Sequence, residues 1–178
     1  AFSTENWKRP KDEVDFLMNL LYNYLKDAEK TLAGENVVIR AIGSRKELSE
    51  KIREQIKKTE EFTKNNTGII MNIALNYGSR EEIVNAVRHI AEKAASGECL
   101  PENITADDIS GSLYTAGQPD PDLIIRTSNE LRLSNFMMWQ ASYSELYFTK
   151  TLWPDFSVKD LHEAVLEYQR RNRRYGGV

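Results

Sequence analysis

The chain has a single cysteine, Cys99, among its 178 residues. An intrachain disulfide is therefore excluded, and the cysteine content fits a reducing compartment. No apolar run approaches the ~18 residues that a membrane-spanning helix needs, and no signal-peptide pattern is visible. We therefore expect a cytoplasmic protein that is at most peripheral to a membrane.

Proline and glycine are also scarce, with 5 and 9 residues, whereas 40% of the chain is hydrophobic and 29% is charged. This composition is typical of a globular protein and excludes a disordered or fibrous one. The net charge of −3 argues against bulk attraction to nucleic acid, so we expect no nucleic-acid partner. The length suits one domain, which we predict to span residues 1–178.

Common catalytic and metal-binding motifs are absent from the sequence. The two histidines, His89 and His162, lie inside predicted helices without a second histidine or cysteine at metal-ligand spacing. The sequence contains no Walker A motif, no GxGxxG and no Ser-His-Asp constellation. We interpret both histidines as structural.

Short apolar segments alternate with amphipathic helical patterns along the chain. The predicted strands cover residues 1–3, 37–42, 69–75, 122–125 and 145–149. The predicted helices cover residues 13–33, 44–65, 79–95 and 158–174, with one further short helix inside 101–117. This alternation predicts an α/β fold, a parallel sheet flanked by helices and joined by right-handed crossovers.

Polar and basic side chains follow the predicted strands, where open α/β sheets bind their ligands. Guanidinium groups, hydroxyls and free backbone N–H groups bind oxyanions, above all phosphate. We predict phosphate binding for Arg126 and Arg132, which follow a buried strand in a polar loop. For Arg45 and Arg80, early in predicted helices, we expect ordinary ion pairs with surface carboxylates.

The first predicted helix has an unusually wide apolar surface. Its main apolar stripe consists of Val14, Leu17, Leu21, Leu25, Ala28 and Leu32. Two interpretations remain open, ordinary core packing and the lining of a site for a hydrocarbon ligand. The arginines at 170, 171, 173 and 174 likewise favour either the dipole of the last helix or, with Gly176 and Gly177, an anion site.

Several long, polar-rich segments together resemble the cis-prenyltransferase family, in particular the bacterial undecaprenyl diphosphate synthases. They are AFSTENWKRP (1–10), NIALNYG (72–78), DLIIRTS (122–128), Glu130 with RLSNF (132–136), WQ (139–140), ELYF (145–148), WPDF (153–156) and RRYGG (173–177). The segments occur in order over essentially the whole chain. A match of this length and polarity is highly specific.

The resemblance implies a parallel sheet with flanking helices, two diphosphate sites and an apolar tunnel. The implied reaction condenses isopentenyl diphosphate repeatedly onto an allylic, farnesyl-type diphosphate. The product is a long cis-polyprenyl diphosphate, in bacteria the lipid-carrier precursor for cell-wall synthesis. The family requires Mg²⁺ and usually forms homodimers, and release of such a product implies peripheral contact with a membrane.

Two alternatives to this reaction remain. A non-catalytic partner subunit of a cis-prenyltransferase would share the fold, but such subunits tend to lose the arginine and serine block that is present here at Arg126, Arg132 and Ser134. An unrelated phosphosugar enzyme on a similar sheet would not respond to farnesyl diphosphate. The block favours the enzyme.

The resemblance also assigns individual residues. Substrate contacts are assigned to Ser3, Thr4, Glu5, Trp7, Arg9, Arg126, Arg132, Leu133 and Ser134, of which Arg126, Arg132 and Ser134 match the isopentenyl diphosphate site. Asn6 matches the catalytic position often assigned as proton acceptor. Because an amide is a poor base, we expect Asn6 to orient a proton path.

Further assignments concern the metal, the tunnel and the partner subunit. Glu145 matches a magnesium ligand, and a carboxylate suits that hard ion. Val37 and Ile69 match positions near the closed end of the tunnel, where side-chain bulk limits product length. The tail around Arg174 resembles an element that reaches the active site of the partner subunit.

Two departures from the family pattern matter. The family's Asp-Gly-Asn-Gly-Arg segment, with its magnesium-binding Asp and its cradle for the allylic diphosphate, does not occur in the chain. We expect it upstream of Ala1, with at least one βα unit of on the order of 30 residues, so that the first strand or strands are missing and the chain alone is inactive. In addition, Asn129 and Leu131 flank Glu130 where the family usually has glycine and a polar residue. We expect this loop to persist with altered geometry, because Asn tolerates positive φ better than most residues.

Overall fold

The structure, a computed structural model, describes residues 1–32 and 34–172, apart from the side chain of Glu29. By its internal contacts the chain divides into two units, Ala1–His89 and Ile90–Val178. Each unit is described by itself below. The single domain predicted over residues 1–178 stays a prediction.

The first unit contains a three-stranded parallel sheet. Its elements are β1 (Phe2–Ser3), α1 (Lys11–Thr31), β2 (Val37–Ile42), α2 (Glu50–Thr63), β3 (Ile69–Tyr77) and the first part of α3 (Ser79–Ala95). The strand order is β1-β3-β2. The parallel ladder between β2 and β3 begins at Val37 and Ile69 and ends at Ile42 and Ala74, and Phe2 of β1 pairs with Leu75 of β3.

The core of the first unit joins both helices to the sheet. Leu25 of α1, Ile52 and Ile56 of α2, and Leu75 of β3 form one buried cluster together with Leu48. The three-to-four-residue spacing that predicted α1 therefore does bring its apolar stripe inward. The predicted strands and their parallel order are confirmed, as is α3 over residues 79–95.

The helix predicted from Ser44 begins later, at Glu50. Residues 44–49 form a loop because they bond to distant parts of the chain. The amide of Ser44 donates to the carbonyl of Asn76 over 3.1 Å, and Ser49 takes the extended conformation of a helix N-cap. Leu48 lies in this loop and is nevertheless buried, at 3% exposure.

The second unit contains a two-stranded parallel sheet. Its elements are the rest of α3, α4 (Ala106–Ser110), β4 (Leu123–Arg126), β5 (Glu145–Phe148) and α5 (Val158–Arg170). Short 3-10 helices cover Pro101–Asn103, Gln140–Tyr143 and Trp153–Asp155. The ladder runs from Leu123 opposite Glu145 to Arg126 opposite Phe148. Parallel strands with flanking helices thus confirm the predicted fold class.

The last helix is shorter than predicted and ends at Arg170. Arg171 is extended, with φ −79° and ψ 139°, and its guanidinium donates to the carbonyl of Leu146 over 2.9 Å. This contact with β5 replaces continuation of the helix. The predictions for residues 173–177 fall outside the described residues. No helix in the described part of the chain is both long and apolar enough to cross a membrane.

Candidate active site

The segment after β1 carries the predicted substrate contacts of the first unit. It folds into a 3-10 helix, Thr4–Lys8. The side-chain Oδ1 of Asn6 accepts a hydrogen bond of 2.8 Å from the amide of Ser3, and the carbonyl of Asn6 accepts one of 3.1 Å from the amide of Arg9. The Asn6 amide oxygen thus closes the turn that follows the strand.

Other side chains of this segment make local contacts. The hydroxyl of Thr4 donates to the carboxylate of Glu5 over 3.0 Å. The guanidinium of Arg9 pairs with Glu13 at the start of α1, and both side chains are about half exposed. The structure therefore gathers the predicted contacts at the carboxyl end of β1.

Trp7 bonds to a residue that was not among the predicted site residues. Its indole Nε1 donates to Oδ1 of Asn76 over 2.7 Å, and its ring meets Phe2 edge-on with centroids 5.1 Å apart. Asn76 follows Leu75 near the end of β3. Its position in the Asn-Tyr-Gly segment is the sequence signal that it has a special backbone role.

An apolar cavity of about 610 Å³ lies beside α1 in the same unit. The helix contributes Leu17, Leu21, Tyr24 and Ala28, among others. The rest of the lining consists of Ala1 and of the strand residues Phe2, Ile39, Met71, Ile73 and Leu75. The volume lies within the range of about 300–1,000 Å³ that is typical of ligand sites. Both interpretations of α1 thus have support, since Val14 and Leu25 are buried while other apolar side chains line a cavity.

Val37 and Ile69, the predicted stop for the hydrocarbon chain, are not part of the cavity lining. Each of them lies two residues nearer the amino end of its strand than a residue that lines the cavity. Val37 precedes Ile39 in this way, and Ile69 precedes Met71. Side chains two residues apart on a strand point to the same face. The four positions therefore share one face of the sheet, although Ile69 is 70% exposed.

In the second unit, Arg126 and Arg132 share one carboxylate. Nη2 of Arg126 bonds to Oε2 of Glu130, and Nη2 of Arg132 lies 2.7 Å from Oε1 of the same residue. The hydrogen bond from Arg126 is the main cause that lowers the pKa of Glu130, and the charges of both arginines add to it against a contribution from burial. Two guanidinium groups thus converge within the polar loop that follows β4.

The backbone of this loop is held in left-handed conformations. Ser128 and Asn129 have φ values of 67° and 55°, and their amides donate to the carbonyls of Thr151 and Thr149 over 2.9 Å each. Asparagine is among the residues that tolerate this region. Asn129 therefore occupies a left-handed conformation in this loop, and an altered loop geometry relative to the family stays a prediction.

Leu133 and Ser134 directly follow Arg132 in the same loop. The carbonyl of Leu133 accepts a hydrogen bond of 3.1 Å from the amide of Phe136, and Ser134 is exposed with a φ of 50°. The ion-pair cluster around Glu130, as the structure describes it, does not include Ser134. Arg45, in the first unit, donates to both carboxylate oxygens of Glu60 over 2.8 and 3.0 Å, which confirms the predicted surface ion pair.

Glu145, the predicted metal ligand, begins β5 and pairs with Arg171. Its Oε2 lies 2.7 Å from Nη1 of that arginine, and both side chains are less than a third exposed. In the part of the chain that the structure describes, no three His, Cys, Asp or Glu side chains group to hold an ion. A single carboxylate nevertheless fits Mg²⁺, which proteins often bind by one or two carboxylates together with substrate phosphates.

Comparison with known proteins places the whole chain in one family. A family model described as "Putative undecaprenyl diphosphate synthase" matches residues 1–176. The chain is 52% identical over all 178 residues to the isoprenyl transferase of Geobacillus kaustophilus and 53% identical to that of Shouchella clausii, and it spans 69% of the length of each.

Two solved structures are also similar. Lavandulyl diphosphate synthase from Lavandula x intermedia, solved in complex with dimethylallyl diphosphate, superimposes with a TM-score of 0.95 at 38% identity over 99% of this chain and 76% of that one. A "probable undecaprenyl diphosphate synthase" from Campylobacter jejuni superimposes with a TM-score of 0.86 at 38% identity, over 99% of this chain and 80% of that one. The chain therefore belongs to the undecaprenyl diphosphate synthase family of prenyltransferases, enzymes that elongate prenyl chains in the cis configuration.

Proposed function

We propose that the protein condenses isopentenyl diphosphate repeatedly onto an allylic diphosphate of the farnesyl type and releases a long cis-polyprenyl diphosphate, the lipid-carrier precursor for cell-wall synthesis. The observation that carries the proposal is the apolar cavity of about 610 Å³ beside α1, which begins at the carboxyl end of the sheet near Phe2 and Leu75. A hydrocarbon tail gains free energy by leaving water for such a lining. The names of the relatives support the same chemistry.

Arg126 and Arg132 are the proposed ligands of the isopentenyl diphosphate, together with Leu133 and Ser134. The guanidinium fork matches phosphate oxygens with two parallel hydrogen bonds. Glu130 holds both forks in one place before substrate binds, since it pairs with each of them. An arriving diphosphate would exchange with this carboxylate for the same donors, so that the site is preorganised and never left as two uncompensated cations.

The 3-10 helix after β1 and its flanking residues, Ser3, Thr4, Glu5, Trp7 and Arg9, are the proposed contacts near the reacting ends of the substrates. Asn6 is the proposed catalytic residue. Its Oδ1 accepts from the Ser3 amide, so we assign the side-chain nitrogen to the orientation of a proton path. Asn6 orients rather than takes the proton because an amide is a poor base near neutral pH.

The proposed step forms one bond and breaks another. The electron pair of the isopentenyl double bond forms a carbon–carbon bond to the allylic carbon, whose bond to the diphosphate oxygen breaks. A proton then passes from the isopentenyl unit to water or to a phosphate oxygen of the substrates, and the diphosphate departs as the anion. The arginines stabilise the charge of the diphosphates, and positioning of the double bond against the allylic carbon supplies much of the rate.

Mg²⁺ dependence, assembly and location belong to the same proposal. Glu145 would hold Mg²⁺ together with a substrate diphosphate, and the ion would offset negative charge as the diphosphate departs. Arg171 would then lose its ion pair with Glu145 but keep Glu167 and the carbonyl of Leu146 as partners. A homodimer and a cytoplasmic location with peripheral membrane contact are supported by the resemblance alone.

The test is incorporation of radiolabelled isopentenyl diphosphate by the complete gene product, with farnesyl diphosphate and Mg²⁺. We expect label in a solvent-extractable polyprenyl product whose formation depends on both substrates. Absence of incorporation by a folded, substrate-saturated protein would overturn the proposal and would favour the non-catalytic subunit. Incorporation that ignores farnesyl diphosphate would show that the allylic substrate is wrong.

A further inference from the structure

Asn76 occupies a backbone conformation that few residues accept. It lies near the end of β3 with a φ of 49°, and it is only 2% exposed. Its carbonyl accepts a hydrogen bond of 3.1 Å from the amide of Ser44, which joins the end of β3 to the loop after β2. Glycine and asparagine are the residues that enter this left-handed region at low cost. The backbone alone would therefore be satisfied by glycine.

The side chain of Asn76 has its own set of partners. Its Nδ2 donates to the carbonyl of Ser44 over 3.0 Å and to Oε2 of Glu47 over 2.6 Å. Its Oδ1 accepts from the indole Nε1 of Trp7 over 2.7 Å. Both protons of the amide nitrogen are thus used, and the oxygen faces a group that can only donate. Each of the three groups around the amide fixes the same orientation.

Glu47 stabilises this orientation of the Asn76 amide against the flipped one. Its Oε2 also accepts from the hydroxyl of Ser44 over 3.1 Å. Burial works to raise the pKa of Glu47, but its own backbone amide and the hydrogen bonds from Asn76 and Ser44 outweigh burial and lower it. The carboxylate is therefore ionised at neutral pH and acts only as an acceptor. A flipped amide would point its oxygen at this anion, which is unfavourable.

The consequence reaches the segment that carries the proposed substrate contacts. Trp7 lies in the 3-10 helix Thr4–Lys8, directly after Asn6. Its ring is held on one side by Phe2 and at its nitrogen by Asn76, which is 69 residues away in sequence. The contacts with Phe2 and Asn76 together restrict rotation of the Trp7 side chain. The segment is thereby tied to the ends of β1, β2 and β3 at once.

We propose that Asn76 is a positioning residue for prenyl transfer: its amide, oriented by Glu47 and Ser44, holds the indole of Trp7 and so fixes the direction of Asn6 and Arg9 toward the substrates. This inference rests on the proposed function. It differs from a purely structural role because the amide could be removed while the backbone conformation is kept. It predicts loss of turnover rather than loss of folding.

The first test replaces Asn76 with glycine, which keeps the left-handed backbone and removes the amide. The chain has 3 tryptophans, so the ¹H–¹⁵N indole resonance of Trp7 can be assigned by its loss in Trp7→Phe. We expect Asn76→Gly to move that resonance upfield and to speed its exchange with water. In the complete gene product we expect kcat to fall about tenfold, equivalent to about 1.4 kcal/mol, with the KM for isopentenyl diphosphate changed less than twofold.

A second variant guards against a folding defect. Glu47 is exposed, so Glu47→Ala leaves the core intact while it removes the anion that orients the amide. We expect the same direction of change in the Trp7 resonance and in kcat, with rescue by Glu47→Gln, whose carbonyl oxygen still accepts from Asn76. Glu50→Gln, which neutralises another exposed carboxylate three residues away, is the matched control and should leave both readouts unchanged.

A double-mutant cycle separates positioning from general structure. If Asn76 acts through Trp7, the loss of kcat in Asn76→Gly combined with Trp7→Phe should equal that of the worse single variant. Additive losses, or an unchanged Trp7 resonance in Asn76→Gly, would overturn the proposal. Absence of incorporation by the unmodified protein would instead overturn the proposed function, and the resonance would still decide whether the amide holds the indole.

Discussion

Val37 and Ile69 lie directly opposite each other at the first step of the parallel ladder between β2 and β3. The next pair on the same face, Ile39 and Met71, lines the apolar cavity. Two residues of strand advance about 6.6 Å, so the first pair lies one such step beyond the lining. The cavity therefore extends along the sheet from Phe2 and Leu75 toward the side chains of Val37 and Ile69.

Product length is expected to depend on this pair. Ile69→Ala should lengthen the polyprenyl products and Met71→Trp should shorten them, because the first removes bulk ahead of the growing chain and the second fills the cavity. Thin-layer chromatography of the dephosphorylated products measures the distribution. Ile70→Ala, on the opposite face of β3, is the control and should keep the original length. Unchanged products in Ile69→Ala would move the end of the tunnel to Met71.

Affinity for isopentenyl diphosphate is expected to depend on both arginines that pair with Glu130. Arg126→Ala or Arg132→Ala should raise the KM about 10- to 100-fold, because a charge-assisted hydrogen bond is worth about 1.5–3 kcal/mol. Steady-state kinetics at saturating allylic substrate measure this. Arg126→Lys should recover little, since an ammonium lacks the planar fork.

The matched control for these variants is Arg45→Ala. Arg45 also follows a strand, but it pairs with Glu60 on α2. We expect its loss to leave the KM unchanged, as an exposed ion pair contributes little. An unchanged KM in both Arg126→Ala and Arg132→Ala would remove the proposed isopentenyl site from this loop.

The elements that the sequence predicted well are those with local signals. The helix over residues 79–95 begins at a serine followed three residues later by a glutamate, a pattern that stabilises helix starts in any context. The strands at 37–42 and 69–77 are rich in apolar side chains, and most of those in the first are β-branched. Such signals depend on neighbouring residues alone.

The features that the sequence did not predict depend on contacts between distant residues. Ser44 was expected to start a helix, but its amide bonds to Asn76, 32 residues further along. Arg171 was expected to continue one, but its guanidinium bonds to β5. The candidate site residues show the same division. The two arginines were proposed from their position after a strand, whereas the hydrogen bonds among Trp7, Asn76 and Glu47 join three separate segments.

Stability is expected to depend strongly on Gly43. This residue has a φ of 122°, and a Cβ atom there would lie 2.1 Å from the carbonyl oxygen of Leu75. Gly43→Ala should lower the free energy of unfolding by about 3 kcal/mol or more, since the left-handed backbone alone costs about 1–3 kcal/mol and the end of β3 must also move. Urea denaturation measures the change.

The control for this variant is Gly97→Ala. Gly97 has a comparable positive φ of 80°, but no atom lies within 4 Å of the added Cβ. We expect it to cost about 1 kcal/mol. Equal costs for the two variants would mean that the contact with Leu75 relaxes freely. Because Asn76 adjoins this contact, Gly43→Ala should also disturb the indole resonance of Trp7.

Acid stability is expected to depend on the start of α5. The carboxylate of Asp160 accepts from the hydroxyl and the amide of Ser157 and from the hydroxyl of Thr151, and these hydrogen bonds lower its pKa from 3.8 to about 2. A lowered pKa means that the ionised form stabilises the fold at pH values above 3.8 and that this contribution is lost as the pH falls toward about 2. Asp160→Asn should therefore have a lower melting temperature than the unmodified protein at neutral pH. The difference between the two melting temperatures should disappear as the pH falls from 3.8 toward about 2.

Two further variants separate the charge of Asp160 from the cap as a whole. Ser157→Ala removes the N-cap hydroxyl and should lower the free energy of unfolding by about 1 kcal/mol at neutral pH. Thr151→Val keeps the cap but removes one donor to the carboxylate of Asp160. It should therefore raise the pH at which the contribution of this carboxylate to stability is lost. Lys159→Gln, an exposed change on the same turn, should keep the acid profile of the unmodified protein. Calorimetric melting at a series of pH values distinguishes these outcomes. A gap between Asp160→Asn and the unmodified protein that stays constant down to about pH 2 would show that the carboxylate contributes through its shape and not through its charge.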